Sequence, residues 1–195
     1  NKNGFSKGIY KSLNCGRGSD DNKKNIKKNL NYVKKKIKSK KNNISLLYQV
    51  HSSKFKFIKK FSKKKVIGDA LITNKKKLPI GVLTADCVPI LILDVEKKII
   101  AAVHAGWRGA YKDITTKVLN KIVKLGSNKK DIVASIGPCI AQKNYEVGKE
   151  FKDKFIKKSK KNSIFFKLKQ NKIYFDLTYF IYNQLISFGI QKIDV

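Results

Sequence analysis

A chain of 195 residues can form one domain with a substantial core, and 42% hydrophobic with 10% aromatic residues excludes disorder even at a net charge of +32. The longest apolar run, Val88 to Leu93, falls far short of the ~18 residues that a membrane-spanning helix requires. Three cysteines, an odd number, exclude a disulfide framework and point to a reducing cytoplasm.

In chain order, Gly4 to Tyr10 reads as a loop feeding Leu13 to Gly18. Ser19, Asp20 and Asp21 offer N-caps and favourable negative charge for a helix over about Asn22 to Lys38, with Ile26, Leu30, Val33 and Ile37 on one face. Ile44 to His51 predicts a buried strand, and Phe55, Phe57 and Phe61 alternate with lysines over a short, half-exposed stretch. Ile80 to Leu83 and Val88 to Leu93 predict strands on either side of a bend at Thr84-Ala85-Asp86-Cys87. Pro89 lacks an N–H and belongs at a strand start or a sheet edge. Ile99 to His104 is a further buried strand. A helix follows from about Gly109 to Leu125, with Ile114, Val118, Ile122 and Leu125 inward and Gly126 as its stop. Asp131 to Ile136 is a strand leading into Gly137-Pro138-Cys139-Ile140, and Glu146 to Lys157 is helical through Val147, Phe151 and Phe155. Ile164 to Leu168 and Ile173 to Phe175 form a hairpin around Gln170-Asn171. Tyr179 to Phe188 is the last helix, and Ile190 to Val195 begins a strand. With no internal repeat and no Pro/Gly linker, residues 1–195 read as a single mixed α/β (α+β) domain.

The chemistry concentrates in few residues. His51 and His104 are the two histidines, and each ends an apolar run; Cys87 lies between two more. Three such ligands at strand ends could meet on one zinc ion and leave a fourth position open for water. The plain alternative makes the histidines satisfied polar residues and Cys87 a small buried hydrophobe. Cys139 reads as a buried thiol or as a fourth ligand.

Only Arg17 and Arg108 are arginine in a chain that otherwise uses lysine for positive charge. The lysines are spread over nearly every segment, a pattern of composition rather than of a nucleic-acid surface, and loose salt-sensitive binding is all it implies. An arginine in His104-Ala105-Gly106-Trp107-Arg108-Gly109, between a strand and a helix, suggests a geometric need. Free backbone N–H groups there, with Gly106 and Gly109 allowing close approach, would hold an anion against the guanidinium fork. Asp86, Asp69 and Glu146 are the acid/base candidates beside these segments, each equally readable as a cap, an ion-pair partner or a group orienting a ligand histidine.

Taken together, Gln49-Val50-His51, Thr84-Ala85-Asp86-Cys87-Val88-Pro89, His104 to Gly109, Ile136-Gly137-Pro138-Cys139-Ile140 and Tyr145-Glu146-Val147-Gly148 resemble the YfiH or laccase-domain family, once called multicopper polyphenol oxidoreductases. Gly8-Ile9-Tyr10 with Ser12-Leu13-Asn14 fits the family's N-terminal region. The resemblance implies a four-layer α/β/β/α sandwich similar to the catalytic domain of cytotoxic necrotizing factor. It implies zinc held by His51, Cys87 and His104, and phosphorolysis of adenosine, inosine, guanosine and methylthioadenosine together with adenosine deamination. On that reading Cys87, His104, Asp86 and Glu146 serve catalysis, and Arg108, Gly106, Gly109 and Asn14 bind substrate or phosphate. Purine nucleosides and phosphate are the implied partners, with neither membrane nor specific nucleic acid, in a monomer or weak homodimer. Segments that usually open and close the family are missing, so the chain reads as truncated at both ends; Ala141 replaces a common glycine.

Other classes remain in view. Cys87 as nucleophile with His104 as base would make a cysteine hydrolase or amidase, for example one editing peptidoglycan precursors. A copper phenol oxidase is the weaker choice, since no further histidine is available for a multicopper cluster. A basic nucleic-acid module lacks the interleaved arginine and aromatic pattern.

Overall fold

A computed structural model describes residues 3–39 and 43–195. Its centre is the antiparallel pair β3 (Val88–Asp94) and β4 (Ile99–Ala105), in which Ile90 faces Val103 and Pro89 faces His104. Asp94 makes their connection tight. Its Oδ1 accepts from the N–H groups of Glu96 and Lys97, both at 2.8 Å, which closes the turn that Lys98 completes at φ 54°. Pro89 is the second residue of β3, and its carbonyl accepts from Gly137 N–H, so the missing donor interrupts no ladder interior.

Short strands extend this pair on both sides: β1 (Phe55–Phe57), β2 (Ala70–Thr73), β5 (Ile132–Ile136) and β9 (Lys192–Asp194). The six-stranded order is β1-β2-β4-β3-β5-β9, with β1/β2 and β5/β9 parallel and the remaining pairs antiparallel. A second sheet of order β6-β8-β7 uses β6 (Glu146–Val147), β7 (Phe166–Lys169) and β8 (Lys172–Phe175). Gln170 and Asn171 turn the β7–β8 hairpin with φ 49° and 59°, matching its right-handed twist.

Two amphipathic helices cover one face of the large sheet. In α3 (Ile114–Lys124) the buried residues Ile114, Val118 and Ile122 recur every four positions; in α5 (Leu177–Phe188) Leu177, Ile181 and Leu185 do the same. Asp176 caps α5 by accepting from Tyr179 N–H at 2.8 Å. Phe155, on α4 (Lys149–Lys158), joins Phe165, Phe175 and Phe180 in an aromatic cluster beside them. Among the described residues no helix is long and apolar enough to cross a membrane.

Several expectations need correction. Ile44 to His51 and Ile80 to Leu83 form single bridges, Ser45–Ile80 and Tyr48–Ile67, and not strands. The N–H groups of Val50, His51 and Ser52 are taken by the Asp69 carboxylate and are lost to any ladder. The helix expected over Gly109 to Leu125 is two helices, α2 (Trp107–Tyr111) and α3, because Asp113 is left-handed at φ 59°. Lys158 binds Tyr111 O and Asp113 Oδ2 while Gln184 binds Ala110 O and Asp113 Oδ1, so side chains satisfy the broken turn. Glu146 and Val147 pair with β8, and the helix starts only after Gly148.

The first helix, α1 (Lys23–Lys36), is capped by Asn22 and not by Ser19, Asp20 or Asp21. Asp21 turns inward, accepting from Ser6 Oγ at 2.6 Å and Asn14 Nδ2 at 2.9 Å. Asn29, fully buried on α1, closes that network: Oδ1 accepts from Phe5 N–H, and Nδ2 donates to Ser6 Oγ and the carbonyls of Ser12 and Asn14. Each buried group left unpaired costs roughly 1–3 kcal/mol, so Asn29→Leu is expected to lower stability by about 3 kcal/mol in urea unfolding. A midpoint equal to wild type would show that α1 is not what pins the N-terminal loop.

Candidate metal centre

The site is built around a carboxylate. Asp69, just before β2, is fully buried. Its Oδ1 accepts from Val50 N–H (3.2 Å), His51 N–H (2.9 Å) and His104 Nδ1 (2.9 Å); its Oδ2 accepts from the N–H and hydroxyl of Ser52, both at 2.6 Å. Burial alone would raise the Asp69 pKa, but the bonds from His104 and Ser52 outweigh it and hold the carboxyl at about 2. An ionised carboxylate only accepts, so His104 Nδ1 carries the proton and Nε2 is left to face elsewhere. For His104, burial opposes the charged form; hydrogen bonds to Asp69 and then Cys87 prevail and raise its pKa to about 9.

His51 reaches the same point from a turn that Asp69 stabilises, with a left-handed backbone at φ 54°. Cys87 arrives from the other side, following Asp86 at φ 72°, with its N–H donated to Ala85 O at 3.0 Å. Asp86 O accepts from Ile140 N–H, which ties the Gly137-Pro138-Cys139-Ile140 loop to this bend. The ligand atoms of His51, Cys87 and His104 lie within 4.8 Å of one another, and the two imidazoles meet edge to face with centroids 4.8 Å apart. Among the described residues they are the one group of His, Cys, Asp or Glu so arranged.

These residues fit a metal ion. Bond lengths of about 2.0–2.3 Å place the ligand atoms of a tetrahedral zinc roughly 3.3–3.8 Å apart, so ligation draws together a cluster whose ligand atoms lie within 4.8 Å of one another. Gly106 leaves the space: a Cβ there would lie 2.9 Å from both Cys87 Sγ and His51 Cδ2. Two imidazoles and a thiolate suit zinc with an open fourth position. Asp69 beyond His104 is the carboxylate that such ligand histidines need for orientation.

The other sequence candidates are distributed as follows. Asp86 is exposed and close enough to Tyr145 to act on it: burial, then the charges of Cys87 and Asp86, push the Tyr145 phenol up to about 12. Tyr145 thus belongs to the surroundings of Cys87. The Tyr-Glu-Val motif contains the signal, but a search for carboxylates favours its neighbour. Glu146 is exposed on β6 and paired with Lys172 at 2.8 Å. Arg108 is exposed on the first turn of α2, its guanidinium 5.2 Å from the Trp107 ring centroid. A Cβ on Gly109 would meet Ser52 O at 2.9 Å, so that glycine brings α2 against the turn carrying His51. Asn14 is occupied by Ser19, Asp21 and Gly16. Cys139 bonds Thr178 Oγ1 at 3.0 Å and lies outside the cluster.

Two substitutions separate the parts of this arrangement. Asp69→Asn is expected to weaken metal binding by about 10–100-fold, because it removes the charge that holds His104 Nδ1–H and sets an NH2 against the donors now bound to the second oxygen. Gly106→Ala is expected to lower metal content while leaving the circular dichroism spectrum unchanged. In metal-free protein His104 must shed a proton to become a ligand. Apparent metal affinity should therefore fall by about tenfold per pH unit below pH ~9 from this group alone, readable by chelator competition.

The chain is similar to known proteins along its whole length. The family model described as "Multi-copper polyphenol oxidoreductase laccase" matches residues 1–195. A purine nucleoside phosphorylase of Rickettsia conorii is 39% identical over 127 residues, covering 64% of this chain and 52% of that protein. Adenosine deaminase RL5, from an unknown prokaryotic organism, is 43% identical over 89 residues, covering 46% of this chain and 34% of its own length. The crystal structure of the Bacillus licheniformis hypothetical protein YfiH superposes with a TM-score of 0.90 at 25% identity, covering 99% of this chain and 78% of that one. The chain spans about half the length, or less, of the two curated relatives. With a family match along its whole length, this chain belongs to the multi-copper polyphenol oxidoreductase laccase family, the YfiH or laccase-domain family.

Proposed function

We propose that this chain forms the core of a zinc enzyme acting on purine nucleosides, with phosphorolysis of adenosine, inosine, guanosine and methylthioadenosine and deamination of adenosine as its reactions. The carrying observation is the convergence of His51, Cys87 and His104 at one point, with Asp69 fixing the His104 tautomer. The names of the relatives, purine nucleoside phosphorylase and adenosine deaminase, support the substrate class. Two histidines in the whole chain support a single metal ion and speak against a multicopper cluster.

When bound, zinc supplies a Lewis acid that activates water and polarises groups beside it. The chain's own residues supply position and protons. His51 and His104 present their ring nitrogens, and Cys87 its sulfur, from a scaffold that Asp69 holds rigid. Arg108 and the N–H groups at the start of α2 hold phosphate in line with the anomeric carbon. An acid then protonates the purine as the glycosidic bond breaks. Asp86 is better placed for that role than Glu146, whose carboxylate is already engaged by Lys172. For deamination the same acid would carry the proton to the departing amine.

A second reading has one observation in its favour: Cys87 Sγ lies within 4.8 Å of a His104 ring nitrogen, the neighbourhood that a cysteine hydrolase or amidase dyad would use. Zinc-loaded protein incubated with adenosine and phosphate is expected to yield adenine and ribose 1-phosphate, with inosine from deamination. Cys87→Ala should lose metal and both products together. Absence of every product with zinc bound would sink the nucleoside reading. Irreversible inactivation by iodoacetamide that zinc does not prevent would favour the hydrolase.

A further inference from the structure

The metal centre leaves a larger feature unused. Gln49 lies two residues before His51, and its side-chain amide clasps the main chain of Leu83, donating to the carbonyl at 2.7 Å and accepting from the N–H at 2.8 Å. This pair lines a cavity of about 560 Å³ to which His51, Cys87 and His104 contribute nothing. That volume lies within the roughly 300–1,000 Å³ usual for small-molecule sites.

Its lining has two chemistries. Arg17, Lys63, Lys64 and Lys65 supply four positive charges, and no carboxylate is among the described lining residues. None of the four has an ion-pair partner among the described residues. Against them stands an apolar wall that includes Leu46, Val66, Leu83 and Tyr48, and the Lys65 ammonium lies 3.6 Å from the Tyr48 ring centroid. All four cations are exposed, and like charges gathered without a carboxylate around one concave surface raise the local positive potential and concentrate anions.

Arg17 makes the case more specific than lysine abundance could. It is one of two arginines in the chain, and among the described residues its guanidinium makes no bond that would explain it structurally. Its loop is nonetheless held: Gly16 N–H donates to Asn14 Oδ1 at 2.9 Å, and Ser19 N–H donates to Gly16 O at 3.1 Å. An anchored loop presenting such a guanidinium suits bidentate recognition of a phosphate or carboxylate. A bare inorganic ion would make no use of the apolar wall.

We infer that this cavity is a second ligand site, for a phosphomonoester carrying a flat, largely apolar body, with a nucleoside monophosphate as its representative. The phosphate lies against Arg17 and the three lysines, and the body against Tyr48, Leu46, Val66 and Leu83. Asn14 contributes by fixing the loop that bears Arg17. The inference does not require the metal centre to be a nucleoside enzyme.

Calorimetric titration of chelator-treated protein with adenosine 5′-monophosphate, adenosine and inorganic phosphate tests it without any turnover. The monophosphate should bind at least about tenfold more tightly than either of the others, since only it satisfies both walls. Arg17→Ala and Arg17→Lys should each weaken it about fivefold or more without changing the thermal midpoint, while Lys169→Ala, on exposed β7, should leave it alone. Equal affinity for inorganic phosphate would overturn the inference, as would an unchanged constant in Arg17→Ala or a loss in Lys169→Ala as large as in Arg17→Ala. Disappearance of binding on chelation would place the ligand at the metal centre and overturn it as well.

Discussion

One buried carboxylate organises this protein's chemistry. An isolated charge in a protein interior is costly, and Asp69 is tolerated because five donors surround it: the N–H groups of Val50, His51 and Ser52, the Ser52 hydroxyl and His104 Nδ1. Those donors do more than neutralise it. They turn the backbone at His51, orient the His104 ring and bind the end of one loop to the middle of the sheet. His104 N–H also donates to Asp69 O, so backbone and side chain fix the same pair.

The scaffold explains why that arrangement can be rigid. His104 is the penultimate residue of β4, a strand paired on both sides and covered by α3. Cys87 immediately precedes β3, the neighbour of β4. Two of the three clustered side chains therefore sit at the adjacent ends of one antiparallel pair, and only His51 comes from irregular chain. Gly106 and Gly109 complete the enclosure by letting the start of α2 approach both Cys87 and the Ser52 carbonyl. The lysine coat lies apart from this construction, and exposed lysines at ordinary salt contribute little to it.

Much of this was legible in the sequence because few residues could carry the chemistry. Two histidines, at the ends of apolar runs on either side of Cys87, left one natural trio, and the structure places them together. The strands around Val88 and Ile99, the hairpin at Gln170 and the helix ending at Gly189 followed from periodicity and turn residues. What periodicity missed was non-local. Nothing near Ile44 announces that Asp69 will claim the next backbone donors, and nothing near Asp113 announces the Lys158 and Gln184 side chains that split a continuous helical pattern. Asp69 was visible as one acid among several; its rank comes only from the donors that tertiary folding brings to it. Tyr145 was hidden by the carboxylate beside it, and Asn14 has structural partners that spacing could not reveal.

The family name speaks of copper and phenols, whereas the residues describe one small site with two nitrogens and one sulfur. Zinc-edge X-ray absorption on the purified, metal-loaded protein tests that description most directly. The account expects one metal per chain with a first coordination sphere of one sulfur and two imidazole nitrogens, the rest filled by light atoms. A sphere without sulfur, or protein that takes up no metal, would contradict it.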